Sequence, residues 1–148
     1  MTNRILSLDE AKKINRVYVE SPFKGANWEE TRKNVLYARL AVNDCLSKGE
    51  APFASHLFYT QTGILDDTIE DERTMGILSG FAWGLSADLR ALYVDFGISR
   101  GMEYGIEQAQ ELGQKIEERK LADTMDLNQT LYKMGEQKPF IDLGKLLF

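Results

Sequence analysis

Two short apolar runs, Arg16-Val17-Tyr18-Val19-Glu20 and Ala91-Leu92-Tyr93-Val94-Asp95, are β-branched and aromatic and end at turn residues, the pattern of buried strands. The second run extends over 89–96. Between 27 and 48 the periodicity turns helical: Val35, Leu36, Leu40 and Leu46 supply an apolar face, and Gly49 closes the helix. Asn27 with Glu30 three residues on is a capping-box pattern. A short strand is expected at 51–54, and 56–62 reads as either a loop or a short helix. A second helix is expected over 70–86 despite Gly76, Gly80 and Gly84, whose four-residue spacing puts them on one face and permits close packing. A third helix, 102–112, is ended by Gly113 and followed by an edge strand, 115–121, with Ile116 as its main apolar residue. The run Glu117-Glu118-Arg119-Lys120 reads as solvated. A helical pattern at 127–134 precedes an apolar tail of Leu143, Leu146, Leu147 and Phe148, expected to dock on the domain or on a neighbouring subunit.

Strands alternating with helices predict an α/β fold: one Rossmann-like parallel sheet of about four to five strands, flanked by helices, with ligands at the carboxyl ends of the strands. The chain divides into an N-terminal extension, 1–13, a domain, 14–122, and a C-terminal helical and apolar tail, 123–148. At 148 residues it is long enough for one real core. A net charge of −5 favours neither a nucleic-acid polymer nor an anionic membrane, though local donors can still hold a small anion. No apolar run approaches a membrane span, so a cytoplasmic protein is expected. A single cysteine, Cys45, and a single histidine, His56, argue against disulfides and a multi-histidine metal centre. No metal or tightly bound cofactor is implied.

Two loops fall at predicted carboxyl ends of strands. Ser21-Pro22-Phe23-Lys24-Gly25-Ala26-Asn27 leads into the first long helix, and Lys24, Gly25 and that helix N-terminus form a candidate phosphate or sugar cradle. Gly97-Ile98-Ser99-Arg100-Gly101-Met102-Glu103-Tyr104-Gly105 leads into the third helix. Its Ser99, Arg100, Gly101 and Met102 are candidates to bind a phosphate, and Glu103, biased towards its ionised form by the helix N-terminus, is a candidate nucleophile beside the anion. The simpler alternative for both is an ordinary connecting turn. Together they suggest a nucleotide site.

The order and spacing of several short motifs resemble the nucleoside 2-deoxyribosyltransferase-like superfamily. The closest likeness is to an uncharacterised, often phage-encoded branch that opens Val-Tyr-x-x-Ser-Pro-Tyr/Phe-x-Gly. The motifs are Val17-Tyr18-Val19-Glu20-Ser21-Pro22-Phe23-Lys24-Gly25, Pro52-Phe53-Ala54-Ser55-His56-Leu57, Gln61, Leu65-Asp66-Asp67, Glu72-Arg73, Ala87-Asp88 and Ser99-Arg100-Gly101-Met102. The resemblance spans roughly 16–121 and implies cleavage or transfer at an N-glycosidic bond. A glutamate near the start of the last helix would attack the anomeric carbon while an acid assists departure of the base. Gly101-Met102-Glu103-Tyr104-Gly105 resembles the transferase motif Gly-Met-Glu-Leu-Gly, which makes Glu103 the nucleophile. A second register, on Ile106-Glu107-Gln108-Ala109, places Gly105 at that position instead. Glu20 departs from the small residue usual in relatives, and its charge would repel a phosphate unless protonated, paired with Lys24 or turned away.

The activity expected is that of a nucleotide N-glycosidase acting on a nucleoside 5′-monophosphate. The alternative is a non-catalytic nucleotide-binding protein, such as a phage protein sequestering a cyclic ADP-ribose-type immune signal. Asp66 and Asp67 are candidates for the acid or for orienting the sugar, with helix capping as the alternative. Asp88 reads as structural, and Asp95 faces the site or solvent. His56 contacts base or phosphate, or serves as a hydrogen-bonded structural residue. Phe23 and Tyr59 are candidates for a base pocket, while Tyr18, Phe81 and Trp83 read as core. Relatives assemble so that subunits complete each other's sites, so a homo-oligomer is expected.

Overall fold

The computed structural model describes residues 7–136. Four parallel strands, β1 (Arg16–Glu20), β2 (Ala51–Phe53), β3 (Leu89–Tyr93) and β4 (Lys115–Arg119), form one sheet in the order β2-β1-β3-β4. Around them lie α1 (Leu8–Lys12), α2 (Trp28–Ser47), α3 (Ser55–Phe58), α4 (Glu70–Gly84), α5 (Arg100–Leu112) and α6 (Leu127–Glu136). The fold is the expected α/β architecture. The segment 56–62 resolves into the short α3 followed by turns, and α5 begins two residues earlier than expected because Ser99 caps it. The apolar residues Leu143, Leu146, Leu147 and Phe148 lie outside the described residues.

The two faces of the sheet differ in chemistry. Val17, Val19, Leu89, Ala91 and Tyr93 pack with Tyr37, Ala41 and Cys45 of α2 and with Leu127 and Leu131 of α6 into one apolar core. Alternation along the strands sends Tyr18, Glu20 and Arg90 to the opposite face, where register sets Tyr18 beside Arg90. That face is covered by α4 and α5, and close approach requires glycine. A Cβ on Gly80 would meet Ser55 Oγ and Tyr18 OH at 2.6 Å, and one on Gly84 would meet Arg90 Nη2 at 2.7 Å. The glycine stripe legible in the sequence is this contact.

Three expectations about packing are corrected. Leu46 is 56% exposed, because Cys45 beside it takes the inward position. Trp83 is 60% exposed and packs its ring 5.9 Å from Phe53, since the glycines of α4 occupy the face that meets the sheet. Arg119 is buried rather than solvated. It forms a two-pronged pair with Glu50, at 2.8 and 2.7 Å, and also donates to Tyr93 OH.

Gly80→Ala is expected to lower unfolding free energy by about 1–3 kcal/mol through overpacking. Gly76→Ala meets the end of Leu65 at 3.2 Å and Tyr59 Cβ at an ordinary 3.7 Å, so the intrinsic helix gain of about 1 kcal/mol offsets its crowding. Urea denaturation of the two variants checks the contrast; equal effects would mean that α4 does not approach the sheet this closely.

Candidate functional site

The sheet changes direction between β1 and β3, since β1 runs on to β2 on one side and β3 to β4 on the other. Connections leaving such a switch point diverge and open a crevice at the carboxyl ends of the strands. A cavity of about 270 Å³ lies there, near the lower end of the usual range for small-molecule clefts. Its wall includes Glu20 at the end of β1, Ser21, Phe23 and Lys24 after it, Asp67 before α4, Glu72, Arg73 and Ile77 of α4, and Ser99, Arg100 and Gly101 at the start of α5.

At the α5 end, Ser99 Oγ accepts the Met102 N–H at 3.3 Å, and the Ser99 N–H donates to Met102 Sδ at 3.5 Å. Met102 is therefore a buried anchor that sets the helix start. Capping uses one of the first-turn donors, and the open N-terminus retains its positive potential beside Arg100 and Gly101. Arg100 donates from Nε to Tyr104 OH at 3.2 Å.

The start of α2 is a different environment. The Gly25 N–H donates to Thr31 Oγ1 at 2.9 Å, the Ala26 N–H to Glu30 Oε2 at 3.1 Å, and the Glu30 N–H to Asn27 Oδ1 at 2.9 Å. The expected cradle is thus filled by the chain's own acceptors, one of them a carboxylate. Gly25 is needed there because a Cβ would overlap Glu30. Of the Lys24–Gly25 pair, only Lys24 reaches the cavity.

Glu20 is the buried carboxylate of the cavity wall. Its Oε1 accepts from Arg90 Nη1 at 3.1 Å. Arg90, fully buried, also donates to Gly105 O, Gln108 Oε1 and Gln114 Oε1, and its guanidinium lies 4.5 Å from the centre of the Tyr18 ring. The partner of Glu20 is therefore Arg90 and not Lys24. Burial outweighs the attraction of Arg90 and lifts the Glu20 carboxyl to about 7. Ser21 Oγ lies 2.7 Å from His56 Nε2, and desolvation pushes His56 down to about 4, so its imidazole is neutral at neutral pH. Phe23 meets His56 edge-on, and the Asn34 amide holds Phe23 by its carbonyl at 3.0 Å.

The structure brings Ser21, Phe23, Lys24, His56, Asp67, Ser99, Arg100 and Gly101 to one cavity, with Tyr59 also in its wall. Phe81, expected in the core, lines it too. Burial raises the Asp67 carboxyl against the pull of Arg73 and Lys24. Other candidates are placed elsewhere. Glu103 is exposed on the outer side of α5 and outside the cavity wall. Asp66 accepts from Thr68 N–H at 2.9 Å, an exposed turn contact. Asp95 accepts from Tyr37 OH, Leu121 N–H and Ala122 N–H, so it ties β3 to the turn after β4. Asp88 accepts from the Arg16 N–H at 2.8 Å, the structural role expected of it. Ile77, which the sequence did not single out, joins the motif residue Arg73 in the wall, four residues apart along α4. Among the described residues no group of three or more His, Cys, Asp or Glu is placed to hold a metal ion.

These features define a parallel α/β domain with a cleft at its switch point. Residues 15–119 match the model of a family described as a domain of unknown function, DUF7768, and the chain belongs to that family. No curated protein matches it.

Glu20 and His56 give stability opposite dependences on pH. The folded Glu20 holds its proton up to about 7 against an ordinary value of 4.5, so its contribution is present at low pH and lost as pH rises through 7. His56 is lowered from 6.5 to about 4, so its contribution is present above 6.5 and lost as pH falls through 4. Glu20→Gln is expected to steepen the loss of stability on acidification, and His56→Gln to flatten or reverse it. Urea midpoints measured across that window check both; a wild-type profile in either variant would contradict the assignment for that residue.

Proposed function

We propose that this protein is a nucleotide N-glycosidase, a hydrolase or base transferase that cleaves the base–sugar bond of a nucleoside 5′-monophosphate through a glutamate nucleophile. The observation that carries this reading is the pairing, in one cavity, of a helix N-terminus beside Arg100 with two carboxyl groups, Glu20 buried and Asp67 half-buried. Arg100, Gly101 and Ser99 at the α5 N-terminus, with Lys24 nearby in the wall, suit a phosphate. Glu20 and Asp67 supply carboxyl groups for the glycosidic bond, and Phe23, Tyr59 and Phe81 supply aromatic surface for a base. A neutral His56 hydrogen-bonded to Ser21 adds polar contacts without adding a charge. The resemblance of the motifs to the nucleoside 2-deoxyribosyltransferase-like superfamily supports the same reaction class.

A second reading, a non-catalytic nucleotide binder that sequesters a signal such as a cyclic ADP-ribose derivative, draws on the exposed position of Glu103 outside the cavity. No described helix is long and apolar enough to cross a membrane. We assign the protein to the cytoplasm, where nucleotides are abundant, and to a homo-oligomer. The exposed Met75, Leu78, Trp83 and Leu85 on and just after α4 support the latter.

Incubation with ribo- and deoxyribonucleoside monophosphates and NAD-derived cyclic species, followed by ultrafiltration, separates the readings. Free base in the filtrate is the expected result. An intact nucleotide released only from heated retentate would establish the binder, and recovery of every nucleotide unbound and uncleaved would remove both readings.

A further inference from the structure

Glu20 sits in the cavity on terms that a merely structural ion pair does not need. Arg90 holds one carboxylate oxygen, Oε1. The other, Oε2, accepts no hydrogen bond among the described residues, yet it retains accessible surface on a residue that lines the cavity. A nucleophilic carboxylate requires this division: one oxygen fixed in orientation, the other with its lone pairs free.

The helix opposite is cut away to make room. A Cβ on Gly105 would overlap the Glu20 carboxylate, so α5 is bare where Glu20 crosses beneath it. The Gly105 carbonyl instead accepts from Arg90 Nη1 at 3.0 Å, the same nitrogen that holds Glu20. The carboxylate, its guanidinium and the helix backbone are thus one unit, close to the open start of α5.

The geometry points to Glu20 as the nucleophile of the glycosidase, supplied from the end of β1 and not from α5; this inference rests on the reading proposed above. Glu20 Oε2 attacks C1′ of the bound nucleoside monophosphate as the C1′–N bond breaks. The electron pair of that bond leaves on the base nitrogen, which takes a proton from the Asp67 carboxyl. Water then attacks C1′, its proton passes to the Asp67 carboxylate, and the C1′–Oε2 bond breaks. Glu20 is returned as a carboxylate and the sugar 5-phosphate is released. Asp67 lines the same cavity and supplies the proton from there, while Glu20 acts in its ionised form, which predominates above about pH 7.

The test uses the full chain and a monophosphate from which the wild type releases base. Glu20→Gln is expected to lose base release by about a thousandfold or more while retaining the nucleotide within a few-fold of wild type. Glu103→Gln is expected to retain turnover within about twofold. Because Glu20→Gln also disturbs the partner of a buried arginine, a second measurement uses unaltered protein. A 2′-deoxy-2′-fluoro nucleotide slows hydrolysis of the ester, and peptide mass mapping should find its sugar phosphate on Glu20. An adduct on another residue, or an active Glu20→Gln with an inactive Glu103→Gln, overturns the assignment and leaves the glycosidase reading standing. A wild type that releases base from no nucleotide removes that reading, and the role of Glu20 with it.

Discussion

A guanidinium buried to 0% exposure organises the half of this molecule that carries the cavity. Removing Arg90 from water costs several kcal/mol unless the lost hydration is replaced. Glu20, the Gly105 carbonyl, Gln108 and Gln114 replace it at the two terminal nitrogens, the guanidinium also lies over the Tyr18 ring, and Nε is left buried without a partner among the described residues. The two glutamines carry the linkage further. Gln108 donates to the Phe81 carbonyl, and Gln114 donates to the carbonyls of Gly84 and Ala87. One charge therefore joins β1, β3, α5 and the end of α4. Gly84 and Gly105 lack side chains where Arg90 and Glu20 need the space. A pair of apolar residues in the same volume would match or exceed this arrangement in stability. What the ion pair provides that an apolar pair cannot is a carboxylate oriented at the cavity.

The division of the sheet into an apolar and a polar face explains how the domain tolerates that arrangement. Val17, Val19, Ala91 and Tyr93 bury against α2 and α6, so cohesion comes from one side. Even there, polar groups stitch the edges: Tyr93 OH donates to Asp44, and Arg119 reaches Glu50. With the core secured on that face, the residues of the other can be chosen for the cavity. The same strands serve both purposes because successive side chains point to opposite faces.

The sequence displayed the frame of this design more readily than its centre. The strands around Val17 and Leu92, the cap at Asn27 and the stop at Gly113 follow local rules, and the structure places them accordingly. The spacing of Gly76, Gly80 and Gly84 announced a close approach, although not what was being approached. Arg90 carried no signal of burial, because its partners lie at 20, 105, 108 and 114 and meet it only through the fold. Glu20 stood out as an unexpected charge, but its orientation depends on that distant arginine. Glu103 lies away from the cavity for a related reason. A first-turn glutamate satisfies the helix dipole wherever it points, and helical phase turns this one to the outside of α5.

The two helix N-termini near the switch point decide the polarity of the cavity. At α2, Asn27 and Glu30 take the local amide donors, and Glu29 and Glu30 add negative charge to the first turn. An incoming anion would meet a carboxylate there. At α5, Ser99 is an uncharged cap, Glu103 is turned outward and Arg100 stands at the entrance. The positive end of α5 and Arg100 therefore sit together in a cavity whose wall also carries the carboxyl groups of Glu20, Asp67 and Glu72. On the proposed reading, a phosphate is drawn to α5, and its distance from the glycosidic bond fixes how far along the cavity the anomeric carbon falls. Glu20 is shielded there by Arg90, which limits the repulsion between its carboxylate and the phosphate. On that reading, an ionised Glu20 and an anionic substrate share so small a cavity because the guanidinium that holds the carboxylate lies outside the cavity wall.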